Sequence, residues 1–319
     1  HPQRIVFTEG DNYRILKAAE ILISNGVAKP ILLGSKEKME AIIEEYQLEL
    51  QEAEFIDIMA DREGRETYAT QMYEFRKRRG WTMGECRSKI KSREYYGNMM
   101  LRDGGADALI SGLTVKYPTA LRPILRIIGM EEGMRKAAGM YILLSKRGPM
   151  FFADTTINLD PTVEDLVQMV LNVADTVKRT NIVPKVALLS YSNFGSSNGP
   201  DAHKMAKASA ILRKEHPDLI VDGEMQANFA LEPELLQESF PFSDLVGHRA
   251  NVFIFPNLAA GNITYKMLQS FGAAEAIGPM LIGTKHSAHV LQLGASVREI
   301  VNMATLAAVD ARNRKVKKA

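Results

Sequence analysis

Two loops in this sequence combine the residue types that hold anions. The first is "SYSNFGSSNGPDAHK" (190–204), which follows a strand-like run and leads into a helix that begins near Pro200. Hydroxyls and backbone amides at such a helix start bind phosphate oxygens, and glycines let the backbone approach closely. The loop therefore predicts phosphate contacts from Ser192, Asn193, Gly195 and Ser196. The same residue types also form ordinary turns, so a structural role stays open.

A second strand-loop-helix segment, "SGLTVKYPTALRP" (111–123), offers positive charge. Arg122 falls just inside the helix, where a guanidinium binds a carboxylate or phosphate with two hydrogen bonds. Lys116 and Tyr117 precede it, and a solvated surface arginine is the open alternative. Asn262 and Lys266 of "GNITYK" are weaker ligand candidates, because a helix that starts there needs them only for capping and solubility.

Carboxylates also stand at the end of a predicted strand, in "VDGEMQANFAL" (221–231). Asp222 and Glu224 either order a ligand cleft or cap the turn that follows. The usual nucleotide and zinc motifs are absent: there is no G-x-x-x-x-G-K-[ST], no G-x-G-x-x-G after a strand and no H-E-x-x-H. The six histidines are scattered and Cys86 is the single cysteine, so we expect neither a metal site nor an internal disulfide.

Composition excludes further classes of protein. A net charge of +2 over 319 residues argues against a nucleic-acid partner. Two basic runs, Arg76–Arg79 and Arg312–Lys318, are expected to be solvated helix ends. No apolar run approaches the roughly 18 residues of a membrane span, and no signal peptide is present. We therefore expect a soluble, cytoplasmic protein, and the start at His1 without a Met suggests a piece of a longer chain.

Short apolar runs alternate with amphipathic helical stretches along the chain. Four such runs are each followed by a helix: "RIVF" (4–7), "PILLG" (30–34), "DALIS" (107–111) and "KVALLS" (185–190). This alternation predicts parallel strands with crossover helices. The alternation of strands and helices restarts near 148–166, which predicts a domain junction. The helix after Ser296, late in the chain, is expected to pack on the first domain. We expect two three-layer αβα domains with largely parallel sheets and a cleft between them: residues 1–145 plus 287–319, and residues 146–286.

Several segments in this order resemble the phosphate acetyl/butyryltransferase family. They are "RIVFTEGDNYRILKAA", "YYGNMMLRDGGADALISGL", "LRPILRIIG", "FFADTTINLDPT", "VALLSYSNFGSSNGPD", "DGEMQANFAL", "ANVFIFPNLAAGNITYK" and "IGPMLIG". The resemblance covers essentially the whole chain. It implies a two-domain α/β fold whose cleft receives coenzyme A and an acyl phosphate, usually in a homodimer.

The departures from the family pattern concern its catalytic residues. In the enzymes, the stretch that aligns on 283–302 carries a Ser-Arg pair and an Asp that serves as base, which fall here on Gln292, Leu293 and Glu299. The His-Thr/Ser-Thr of the first-domain loop falls on Val115 to Tyr117. Acyl transfer needs a deprotonated thiol and stabilised negative charge, so these losses should lower the rate by at least about 10³. We expect no catalytic residues here. Ser296 and Glu299 also have capping-box spacing, which explains Glu299 without catalysis.

With these departures the chain is similar to the C-terminal domain of multidomain NADP-dependent malic enzymes. That resemblance implies a regulatory and oligomerising domain that senses acetyl-CoA and inhibits a distant malate site. Ser192, Asn193, Gly195 and Ser196 would contact phosphates, Lys116 and Arg122 would supply charge, and Tyr117 would line the acyl end. The expected partners are acetyl-CoA or a related acyl-CoA, a second copy of the chain, and N-terminal malic-enzyme domains. NADP and a divalent metal are expected to bind only those N-terminal domains. No cofactor, nucleic acid or membrane is expected to bind this segment.

Two other functions stay open at this point. An active phosphate acetyltransferase would use Glu299 as base and Lys285 or Arg298 in place of the lost arginine. A purely structural dimerisation module would keep the fold and bind no coenzyme A.

Overall fold

The computed structural model describes residues 2–272 and 275–318. His1, Ala273, Ala274 and Ala319 lie outside the described residues, and with them the two chain ends of the expected first domain. The strands are β1 (Gln3–Phe7), β2 (Ala28–Leu33), β3 (Glu54–Ile56), β4 (Ala108–Ser111), β5 (Ala138–Ser145), β6 (Gly148–Ala153), β7 (Lys185–Leu189), β8 (Ile220–Met225), β9 (Val252–Ile254), β10 (Glu275–Ile282) and β11 (Ser287–Val290).

Twelve helices connect and flank these strands among the described residues. They are α1 (Tyr13–Ser24), α2 (Lys36–Tyr46), α3 (Arg62–Arg76), α4 (Met83–Lys89), α5 (Arg93–Asp103), α6 (Tyr117–Ile127), α7 (Val163–Lys178), α8 (Pro200–Glu215), α9 (Ala227–Leu231), α10 (Pro233–Ser239), α11 (Leu258–Ser270) and α12 (Val297–Lys318). In the stretches that the structure describes, none of these helices combines the length and apolar character needed to cross a membrane.

The chain forms two compact units. Unit 1 comprises the residues up to Glu132 and those from Thr284 onward, and unit 2 comprises Gly133–Gly283. Both boundaries lie earlier than the positions expected from the sequence, after 145 and after 286. The first boundary is earlier because β5 is hydrogen-bonded to β6 and β10 and therefore belongs to the sheet of unit 2.

Unit 1 is built on a five-stranded parallel sheet of order β11-β4-β1-β2-β3. Its central strands are apolar at consecutive positions because helices cover both faces; Ile5, Val6 and Phe7 of β1 are fully buried. The helix α1 begins after Asn12, whose side chain accepts a hydrogen bond from Arg14 N at 2.9 Å. The long helix α12 packs on α1, which joins the last part of the chain to the first.

Unit 2 is built on a six-stranded sheet of order β10-β5-β6-β9-β7-β8. The strands β6 to β9 pair in parallel, whereas β5 is antiparallel to both of its neighbours. Aromatic side chains fill much of its core, including Tyr141 stacked on Tyr265 with ring centroids 4.0 Å apart. The predicted α/β class with largely parallel sheets is confirmed.

Each basic run contains one arginine that is not solvated, which corrects the sequence-based expectation. Arg76 at the end of α3 is only 7% exposed. The side chain of Arg314 in α12 is 14% exposed and pairs with two carboxylates, those of Asp310 and Glu131. The side chains of Lys317 and Lys318 lie outside the described residues.

Candidate functional site

The loop after β4 in unit 1 is shaped by a buried carboxylate. Glu9, which follows β1 and is 5% exposed, accepts hydrogen bonds from the backbone amides of Gly112 (3.0 Å), Leu113 (2.8 Å) and Thr114 (2.7 Å). The Thr114 hydroxyl donates a further bond to Glu9 at 2.7 Å. Successive amides that point to one spot form an anion-binding concavity, and here the chain fills it with its own carboxylate. The loop is therefore held in one shape by Glu9, and these amides do not face a ligand.

This loop leads into α6, which carries the cations predicted to contact a ligand. Lys116 is the N-cap residue of α6, and both Lys116 and Arg122 are exposed, while Tyr117 is half-buried. Arg126 is also exposed, one helical turn beyond Arg122 and on the same face. Across the described part of the chain, no hydrogen bond or ion pair engages the side chain of Lys116 or Arg122. The structure thus places a row of two cations, Arg122 and Arg126, along one face of α6, with Lys116 at the start of the helix.

The row continues into a group of cations around aromatic rings, which we call the arginine cluster: Arg76, Lys89, Arg102 and Arg126 with Phe75, Trp81 and Tyr95. Three of the cations surround the Trp81 ring, with the charged atoms of Arg76, Lys89 and Arg126 at 5.4, 5.3 and 5.7 Å from its centroid. Arg102 lies 4.1 Å from the Phe75 centroid. Cation–π contacts of this kind stabilise a desolvated charge but do not neutralise it.

Arg76 at the centre of the cluster lacks the usual partners of a buried arginine. Its guanidinium donates to the Arg126 carbonyl, and its Nε is buried with no hydrogen-bond partner among the described residues. In that same part of the chain, no carboxylate lies within ion-pair distance of any of the four cations. Burial, followed by the neighbouring charges of Arg79 and Arg126, lowers the pKa of Arg76 below its ordinary value. A positive cluster of this kind favours an anion as its binding partner.

In unit 2, the loop at 190–199 is also organised by an internal carboxylate. Ser192 is fully buried, and its hydroxyl donates to Glu224 at 2.9 Å. The Gly195 amide donates to the same oxygen at 2.7 Å. Two of the four groups predicted to contact phosphate therefore bind Glu224 instead, at the end of β8. Glu224 therefore does not only cap the turn that follows β8: it also holds the loop at 190–199 in place.

The other two predicted residues of this loop make local contacts. Asn193 accepts a hydrogen bond from Gln226 N at 2.8 Å, and the Ser196 hydroxyl accepts one from Asn193 N at 2.9 Å. Ser196 is exposed and Asn193 is half-buried, whereas Ser192 is fully buried. Ser196 and Asn193 are thus better placed than Ser192 for a ligand contact.

The sequence suggested that Asn262 and Lys266 lie at the start of a helix, but both lie within α11. The helix begins at Leu258 and is capped by Asn257, whose side chain accepts from Ala260 N at 3.0 Å. Asn262 donates to the Thr155 carbonyl at 3.0 Å, and exposed Lys266 lies 5.2 Å from the Tyr265 ring. Asn262 therefore joins α11 to the loop after β6.

Gln292 and Leu293, which are expected from the sequence to stand at positions that are catalytic in the enzymes, lie in the turn before α12. Gln292 and Leu293 are both exposed, Leu293 to 61%. The predicted capping box is confirmed: Glu299 accepts from the Ser296 amide and hydroxyl, both at 2.8 Å, and its own amide donates to the Ser296 hydroxyl at 3.3 Å. Arg14 donates to the Gly294 carbonyl at 2.6 Å and so anchors this turn to α1.

Sequence reasoning missed Glu9, Arg76 and Arg126, because each owes its role to neighbours distant in the chain. Two cavities, of about 440 Å³ in unit 2 and about 280 Å³ in unit 1, have none of the predicted ligand residues in their walls. No group of three or more His, Cys, Asp or Glu suitable for a metal occurs in residues 2–272 and 275–318.

Comparison with known proteins places these features in a family. The family model for phosphate acetyl/butyryl transferases matches residues 1–308. The chain is 39% identical to the NADP-dependent malic enzyme of Salmonella typhimurium over 97% of its own length and 41% of that relative. It is 34% identical to the phosphate acetyltransferase of Clostridium acetobutylicum, covering 97% of this chain and 94% of that one.

Among solved structures, EutD phosphotransacetylase from Staphylococcus aureus superposes with a TM-score of 0.89 at 30% identity, covering 97% of this chain and 94% of that chain. The chain spans less than half the length of its malic enzyme relatives. From its sequence, its two α/β units and these matches, the chain belongs to the phosphate acetyl/butyryltransferase family.

Proposed function

We propose that this chain is a regulatory domain that binds acetyl-CoA or a related acyl-CoA without transferring the acyl group. The observation that carries the proposal is the positive surface of unit 1, which runs from Lys116 and Arg122 along α6 to the arginine cluster. Coenzyme A carries several phosphate charges, and cations without carboxylate partners bind such a ligand without first breaking an ion pair.

The residues of this surface would contact different parts of the ligand. Arg122 and the arginine cluster bind phosphates, Lys116 adds charge, and half-buried Tyr117 lines the acyl end. Unit 2, taken by itself, is proposed to offer polar contacts to a phosphate from Asn193 and Ser196, and Ser192 and Gly195 act there through the loop shape that Glu224 holds. Asn262 and Lys266 are left as secondary contacts.

Calorimetric titration with acetyl-CoA tests the binding. We expect Arg122→Ala to weaken binding by about tenfold or more, as the loss of one charge-assisted hydrogen bond does. The matched control is Arg78→Ala, an exposed arginine outside the cluster, which should leave affinity unchanged. The affinity should also fall as salt is raised, because the contacts are ionic. No binding at millimolar acetyl-CoA would favour the purely structural module.

The loss of catalysis is the second part of the proposal. Leu293 has no hydrogen-bond donor to stabilise developing negative charge, and the Glu299 carboxylate is held by Ser296 in the capping box. An assay of acetyl-CoA formation from acetyl phosphate should therefore give a rate at least about 10³ below that of an active relative. Turnover at the relative's rate that is lost in Glu299→Gln would instead establish an active phosphate acetyltransferase.

Self-association is supported by an exposed apolar face on α11. Ile263, Met267 and Phe271 are exposed and follow one another at intervals of four residues, so they share one side of the helix and its end. We propose that a second copy covers them in a homodimer. Sedimentation should give a dimer for the natural chain and a monomer for Met267→Asp, whereas Lys266→Asp on the same helix should stay dimeric.

In a longer malic enzyme, acetyl-CoA bound to this domain would inhibit the oxidative decarboxylation of malate to pyruvate. NADP and a divalent metal would bind only the other domains of that enzyme. Inhibition of the full-length enzyme by acetyl-CoA should be lost in Arg122→Ala, while malate turnover without effector stays unchanged. We place the protein in the cytoplasm, which stays a prediction.

A further inference from the structure

The chain passes between its two units twice, at Glu132/Gly133 and at Gly283/Thr284. On the side of unit 1, the outgoing and returning segments lie next to each other. Met130 and Thr284 form an isolated antiparallel bridge, and the Lys285 amide donates to the Gly129 carbonyl at 3.1 Å. These few backbone contacts belong to neither sheet, so they are weak alone.

One side chain holds both segments. Arg314, near the end of α12, forms an ion pair with Glu131 on the outgoing segment and donates to the Thr284 carbonyl on the returning segment at 2.9 Å. Its Nε donates to Asp310, one turn earlier in α12, at 2.8 Å. The three acceptors come from three separate parts of the chain, and one planar guanidinium reaches all of them.

The surroundings make these contacts strong. The side chains of Arg314 and Asp310 are 14% and 6% exposed, so solvent screens their interaction little. Because Asp310 and Arg314 lie one turn apart on the same helix, their hydrogen bond holds the guanidinium in the orientation that reaches the two segments. A lysine has a single charged nitrogen on a flexible stem and does not reproduce this fork.

We propose that Arg314 is a clamp that locks both connections between the units to the last turns of α12. Whatever displaces the end of α12 then releases both connecting segments at once. This inference is independent of the proposed acyl-CoA binding, because none of Arg314, Glu131, Asp310 and Thr284 belongs to the proposed binding surface.

Hydrogen exchange measured by NMR on the full chain tests the clamp. In Arg314→Gln, the amide of Lys285 should exchange about tenfold to a hundredfold faster than in the natural chain, the effect expected from losing hydrogen bonds to a charged group. The matched control is Arg312→Gln, an exposed arginine two residues earlier in the same helix, which should leave this amide unchanged. Arg314→Lys should exchange at a rate between those of the natural chain and Arg314→Gln.

The pattern of exchange distinguishes a clamp from general stabilisation. A clamp predicts faster exchange at 129–131 and 284–286, with little change at Val6 and Leu32 in the centre of the unit 1 sheet. An equal increase at all these amides would mean that Arg314 only stabilises unit 1 as a whole, and would overturn the proposal. Equal exchange of Lys285 in Arg314→Gln and Arg312→Gln would overturn it as well.

Discussion

His289 makes the stability of unit 1 depend on pH in a way that can be calculated. It lies in β11, is fully buried, and has its Nε2 3.0 Å from the Ser287 hydroxyl. Burial lowers the pKa of His289 from 6.5 to about 4; the charge of Asp310 acts in the opposite direction and that of Arg314 in the same one.

The direction of the pH dependence follows from how many protons His289 binds in the folded and in the unfolded chain. Between pH 6.5 and about 4, the unfolded chain binds a proton at His289 and the folded chain does not. Stability from this residue is therefore complete above pH 6.5 and is lost as the pH falls toward 4. The difference between 6.5 and about 4 corresponds to about 3 kcal/mol of unfolding free energy.

Urea unfolding, followed by the fluorescence of Trp81, measures this loss, because the single tryptophan of the chain lies in the same unit as His289. The free energy of unfolding is compared at pH 7 and pH 4 in the natural chain and in His289→Gln. Carboxylates titrate in both proteins, so the difference between the two pH-dependent losses isolates His289. We expect the natural chain to lose about 3 kcal/mol more than the variant.

His203→Gln, an exposed histidine on α8, is the control and should show the natural loss. An equal loss in the natural chain and in His289→Gln would refute the reasoning, because the histidine would then be protonated equally in both states. The cost of the substitution itself cancels, since each protein is compared with itself at two pH values.

Three further results are expected for the residues that shape the candidate site. Glu9→Gln places an amide donor against backbone N–H groups and should lower the unfolding free energy, measured in urea, by about 2 kcal/mol; no change would mean that the loop at 112–114 holds its shape without the carboxylate. Ser296→Ala removes the capping box and should cost about 1 kcal/mol in the same assay, while an unaltered value would show that α12 needs no cap. Glu224→Gln should speed exchange of the Gly195 amide about tenfold, and unchanged exchange would mean that other contacts hold the loop.

Local pattern was sufficient for the features that depend on neighbouring residues. The alternation of apolar runs and amphipathic helices predicted the α/β class, since a parallel strand is buried on both faces wherever helices cover it. The S-x-x-E spacing predicted the capping box at Ser296 and Glu299, because both partners lie within one helical turn. The prediction that Gln292 and Leu293 replace catalytic residues rests on the family resemblance and stays a prediction.

Contacts between distant parts of the chain decided the rest. In the run Arg76–Arg79 all residues are basic, yet only Arg76 is buried, because Trp81 in the loop before α4 and Arg126 in α6 lie against it. The run at Arg312–Lys318 behaves in the same way, with Arg314 turned toward Glu131 and Thr284. The sequence also gave no sign that Ser192 and Gly195 both donate hydrogen bonds to Glu224, which β8 brings next to them.

The sequence by itself determined which segments become strands and helices and which family they form, because propensity and periodicity act over a few residues. Only the tertiary structure decided which cations are buried, which loop amides the chain's own carboxylates occupy, and where the boundaries of the two units lie. Burial and hydrogen-bond partnership are properties of pairs such as Glu9 with Gly112, more than a hundred residues apart. No local pattern contains that information until the sheet brings the two together.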